Sequence, residues 1–137
     1  MLQPKKLKYR KFQKGRSLKR EIITKGTELI YGDFGLKSLE SRILSSRQIE
    51  ACLNTLKKSL TKKDRFWLRI FPHRSKTRKP AETRMGGGKG EIDDFVALVR
   101  PGTILFEVAG SNKELLKEAL KQISYKLPIK TKIVSAI

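Results

Sequence analysis

The stretch from Arg78 to Gly90, RKPAETRMGGGKG, constrains this chain more than any other, because it has almost nothing to bury and must be carried by what folds around it. Met85 apart, it lacks large apolar side chains. Arg78, Lys79, Arg84 and Lys89 face a single acid, Glu82, and the glycines between Gly86 and Gly90 remove any obstacle to close backbone approach. A flexible cationic segment set between regular elements reads as a probe that a rigid domain extends toward phosphates.

The rest of the chain repeats the charge message. Among 137 residues, 32 Lys and Arg stand against 13 Asp and Glu, a net charge of +19, which exceeds what solubility needs and implies a polyanionic partner. Nucleic acid is the first candidate and an anionic membrane surface the second. The length suits one domain with one core. No apolar window approaches the roughly 18 residues of a membrane span, and one cysteine, Cys52, forbids an intramolecular disulfide. The first twenty residues contain no acid. They lack the apolar region of a secretory signal and read as a nucleic-acid-binding arm: Lys5, Lys6, Lys8, Arg10, Lys11, Lys14, Arg16, Lys19 and Arg20 meet phosphates, while Tyr9 and Phe12 stack on bases. A solvated tail is the rival reading.

After the arm, TELIYG (27–32) reads as a strand, and the segment from Gly32 to about Ser45 as loop with short extended pieces. From Ser45 the spacing becomes helical, with Ile49, Cys52, Leu53, Leu56 and Leu60 on one face and Ser45 with Gln48 as a capping box. Phe66 to Phe71 alternates like a strand, with Trp67 and Phe71 read as core and Arg69 between them facing RNA or an acid. The connection from His73 to Asp94 is longer than ordinary loops and so reads as functional or partner-ordered. Its Arg74, Lys76, Arg78 and Lys79 join the cations expected to bind RNA. FVALVR and TILFEV, separated by Pro101 and Gly102, predict an antiparallel hairpin. Ser111 with Glu114 predicts a second capped helix, facing inward with Leu115, Leu116, Ala119, Leu120 and Ile123, and IKTKIV closes the chain as a strand. Two amphipathic helices covering a mixed or antiparallel sheet make an α+β sandwich, with residues 1–26 as arm and 27–137 as the domain carrying the loop 73–94.

Catalytic readings fail on spacing. A Walker A loop needs Ser or Thr after its lysine, and Lys89 is followed by Gly90. His73 is the only histidine, so neither a metal-ligand set nor a Ser-His-Asp or Cys-His arrangement can be assembled. The acids Glu91, Asp93 and Asp94 are read as pairing with nearby arginines at the base of the loop rather than holding Mg²⁺. No catalytic residue, metal or cofactor is expected.

The strings MLQPKKLKYRKFQKGR, FGLKSLESR, SSRQIEA, WLRIFP, KPAETRMGGGKG and KLPIKTKIV occur in one order over nearly the whole chain. Together they resemble the bacterial-type large-subunit ribosomal protein L-sixteen family. The resemblance implies an α+β hammerhead-like fold and a structural role in the large ribosomal subunit, bound to large-subunit rRNA and neighbouring subunit proteins near the elbow of the A-site tRNA. It implies that the arm lies along rRNA, and that the loop of Arg84, Met85, Gly86, Gly87, Gly88, Lys89 and Gly90 points toward the peptidyl-transferase region and the tRNA, supporting tRNA accommodation. Neither a membrane nor a homo-oligomer is expected as partner. The family commonly has lysine where Gly87 stands, and glycines and arginines around Glu40 and Ser41; this chain is less cationic at both places. The start, in register with mature family members, favours synthesis where the protein works, in bacterial cytoplasm or from an organelle's own genome in a mitochondrion or plastid. Outside the resemblance, an RNA chaperone or other RNA binder is the second reading and a phosphate-handling enzyme the third.

Overall fold

A computed structural model describes residues 1–13 and 23–136. Among these residues seven strands and two helices follow in the order β1 (Phe34–Ser38), β2 (Arg42–Ser45), α1 (Ser46–Ser59), β3 (Arg65–Leu68), β4 (Arg74–Arg78), β5 (Glu91–Val99), β6 (Ile104–Ala109), α2 (Lys113–Ser124) and β7 (Thr131–Ser135). The strands form two sheets, antiparallel in every pairing: one ordered β3-β6-β1-β7, the other β2-β5-β4. Helix α1 lies against β2 and β5 of the second sheet, α2 against β1 and β7 of the first, and the helices pack on each other. One buried cluster therefore joins both sheets, running from Leu44 and Val99 through Ile49, Cys52 and Leu56 to Leu116, Leu120, Ile123, Leu36 and Phe106. The α+β class is as expected.

Local signals located α1 well. Ser45 Oγ accepts from the Gln48 N–H and the Gln48 side chain accepts from the Ser45 N–H, so the capping box closes in both directions. Asp94, buried beside the first turn, accepts from Ser46 Oγ at 2.5 Å and places negative charge at the helix start. Cys52 is buried in the helix interface, where desolvation, only partly opposed by nearby Lys126, pushes its thiol up to about 11. At α2 the cap is Asn112 rather than Ser111: its side-chain oxygen accepts from the Glu114 and Leu115 N–H groups.

Long-range pairing overrides four expectations. TELIYG is not a strand; residues 29–32 cross the outer face of the first sheet, and the N–H groups of Ile30, Tyr31 and Gly32 turn to the Glu107 carboxylate. The segment expected as loop holds β1, whose Phe34, Gly35, Leu36 and Ser38 are buried, and β2. With both faces of β1 covered, no alternation survives to betray a strand. The third difference is the hairpin. Arg100 to Thr103 does make a tight turn of type II, with Gly102 at φ 95° and Thr103 N–H donating to Arg100 C=O at 3.2 Å. The turn, however, passes the chain from β5 in one sheet to β6 in the other, because β5 pairs with β2 and β4 while β6 pairs with β1 and β3. Finally, the stretch 73–94 is paired at both ends by β4 and β5, so the irregular loop runs only from 79 to 90. Strand β3 also stops at Leu68, although the Arg69 N–H still reaches Leu105 C=O at 3.0 Å.

Candidate nucleic-acid interface

The β4–β5 pair carries the glycine loop outward. Along β4, Arg74, Lys76 and Arg78 share one side by strand alternation while Ser75 turns inward and is buried. The register shifts at Lys76/Thr77, where Lys76 opposes Asp94 and Thr77 opposes Ile92, so β5 carries the extra residue of a bulge. Beyond Arg78 the loop leaves the domain. Met85 is 103% exposed, and Gly86, Gly87 and Gly88 all have positive φ, at 100°, 73° and 83°. A side chain at Gly87 in this conformation would meet no neighbour but would be strained by its backbone angle. Lys79 Nζ donates to Gly86 C=O at 2.7 Å and folds the loop back on its own stem.

The described part of the arm lies beside this stem instead of awaiting a partner. Ser75 Oγ donates to Arg10 C=O at 2.6 Å, Lys89 Nζ donates to Phe12 C=O, and Lys11 Nζ reaches Lys89 C=O at 3.3 Å and Glu91 at 3.7 Å. At the other end of the arm the Met1 ammonium pairs with Glu50 at 3.1 Å, and Leu2 packs on the core. Lys5, Lys6, Lys8 and Arg10 remain exposed along it. Arm and loop thus form one cationic surface. Lys11 and Lys89 hold it together through backbone carbonyls, a function sequence reading missed because nothing local marks a lysine that will meet a carbonyl nearly eighty positions away. Lys14, Arg16, Lys19 and Arg20 lie outside the described residues.

Two expected site features sit elsewhere. Arg69 pairs with Glu107 on the outer face of the first sheet, meeting the acid that was one of its two expected partners. Among the described residues the acidic cluster is given no arginine partner: Glu91 takes Lys11, and Asp94 serves Ser46 and the Phe95 N–H. Glu40, at one of the less cationic places, pairs with Lys130 at 3.7 Å. Among the described residues no group of three or more His, Cys, Asp or Glu is placed to hold a metal ion, and no helix is long and apolar enough to cross a membrane.

The sequence profile described as Ribosomal protein L16p/L10e matches residues 4–134. Large ribosomal subunit protein uL16c of Trieres chinensis is 48% identical over all of this chain and 98% of its own length. Large ribosomal subunit protein uL16 of Sulfurihydrogenibium sp. is 46% identical with the same coverage, and uL16c of Guillardia theta is 50% identical over 98% of this chain and 99% of its own. A match of this extent, on a chain whose arm, strand pair and glycine loop make one cationic surface, means that the chain belongs to the ribosomal protein L16p/L10e family.

Proposed function

We propose that the protein is a structural constituent of the large ribosomal subunit, in a bacterium or an organelle, that binds large-subunit rRNA with its arm and helps shape the A-site tRNA region with its glycine loop. Residues 1–26 are the rRNA-binding arm, and the domain that follows fixes their direction and that of the loop. The observation that carries this reading is the anchoring of two cationic segments side by side: the arm through Arg10 and Phe12 carbonyls, the loop through Lys79 and Lys89. A polyanion meeting this surface finds charges already held in place, so less ordering opposes binding. Arg74, Lys76, Arg78, Lys79 and Arg84 extend the same field from β4 to the loop tip. Catalysis is no part of the role. The loop instead offers charge and close backbone approach to a tRNA that must be accommodated.

Sedimentation of an extract containing the tagged protein tests the assignment. Stable co-migration with the large subunit at moderate salt is the expected result. Free protein, or spread over unrelated RNA complexes, would identify an RNA binder that is not a resident of the particle.

A further inference from the structure

The outer face of the first sheet carries an aromatic surface that neither arm nor loop uses. Trp67 on β3 and Arg69 just beyond it are two positions apart, so both project from the same face, as does Arg65 at the start of the strand. The Tyr31 ring lies across them, stacked on Trp67 at 5.9 Å between centroids and 24° between planes, with the Arg69 guanidinium 5.4 Å from its centre. Both supports come from the sheet side, and Tyr31 remains 58% exposed. The Tyr31 backbone is anchored as well: its N–H donates to Glu107 at 2.7 Å, and Glu107 binds Arg69. Ile30 beside it is exposed too. A core aromatic would be covered, whereas this one is braced and left open.

We propose that Tyr31, backed by Trp67, is a stacking shelf for an unpaired nucleobase of RNA, with Arg65 meeting the phosphate of that nucleotide. This deepens the rRNA-binding reading and rests on it. Charge selects the occupant: Arg65 is exposed on the same face, roughly two strand residues or about 7 Å from Trp67, on a chain of net charge +19. Stacking on a ring that is already fixed loses little side-chain freedom, and any base offers the face it needs.

Trp67 is the only tryptophan, so its fluorescence reports on this shelf alone. The full-length protein is titrated with short single-stranded oligoadenylate and, separately, with inorganic polyphosphate of similar charge. Oligoadenylate is expected to quench Trp67 saturably, and polyphosphate to bind without quenching. Tyr31→Ala is expected to weaken oligoadenylate binding about 5- to 150-fold, the range for one lost stacking contact, leaving polyphosphate affinity unchanged; Tyr31→Phe keeps the ring and the affinity. Equal quenching by both polyanions, oligoadenylate binding without quenching, or equal losses in the Ala and Phe variants would overturn the shelf while leaving rRNA binding by arm and loop intact. Failure to bind either polyanion would count against both. The wild-type comparison needs no variant, so the test holds even where Tyr31→Ala lowers stability.

Discussion

Replacing Glu107 by glutamine is expected to lower the stability of the fold by about 3–5 kcal/mol, the cost of breaking a buried charge pair by removing one partner. Glu107 is fully buried, and its carboxylate accepts from the N–H groups of Ile30 at 3.2 Å, Tyr31 at 2.7 Å and Gly32 at 2.8 Å and from Arg69. Glutamine keeps one acceptor oxygen but brings an amide that faces donors and leaves Arg69 without its counter-charge. Urea unfolding of the purified protein measures the loss. The pH dependence has a defined sign. Burial pushes the carboxyl up, but the Tyr31, Gly32 and Ile30 N–H groups and Arg69 outweigh it and hold the pKa below its ordinary 4.5. A depressed folded-state pKa stabilises fully above the ordinary value, and that contribution is lost as pH falls below about 4.5 through the folded-state value. The wild type should therefore lose stability in that acid window, and Glu107→Gln should lose less of it; Asp64, also held low by its hydrogen bonds to Thr61, keeps its share in both.

Changing Lys5, Lys6, Lys8 and Arg10 together to glutamine is expected to leave the fold intact and to flatten the salt dependence of rRNA binding. The arm stays anchored because Ser75 bonds the Arg10 carbonyl, not its side chain. If each cation meets one phosphate, the slope of log K against log salt becomes shallower by about 3, and the affinity lost between about 50 and 200 mM salt shrinks roughly 60-fold. Filter binding to a large-subunit rRNA fragment across a salt series measures it. An unchanged slope would mean that the arm's charges face solvent.

What could be read from the sequence divides by range. The start of α1 was legible because Ser45 and Gln48 satisfy each other within one turn. The same locality made the Arg100–Thr103 turn right and its hairpin wrong: four residues set a turn, but partners distant in sequence set which sheet each strand enters. Strand β4, RSKTR, carries no apolar alternation, since its inward position is a serine serving the arm. Glu107 stands as an acid inside the otherwise apolar TILFEV, yet nothing in TELIYG announces three backbone donors turned toward it. The proposed interface was legible as charge, because phosphate binding asks for cations and exposed backbone. That arm and loop hold each other was not, because those contacts run through carbonyls that every residue possesses.

In the proposed function the glycine loop points at the tRNA-binding centre of the large subunit. Cys52 is buried with its thiol pushed up to about 11, so a cysteine introduced at the fully exposed Met85 becomes the one reactive thiol and can carry a tethered iron chelate into assembled particles. Hydroxyl-radical cleavage from Met85→Cys is predicted to concentrate in the rRNA around the A-site tRNA and peptidyl-transferase region and in bound tRNA, while the same probe at exposed Tyr125, the C-cap of α2, cleaves neither. Cleavage from position 85 that misses this region, or that matches the pattern from position 125, would contradict the account.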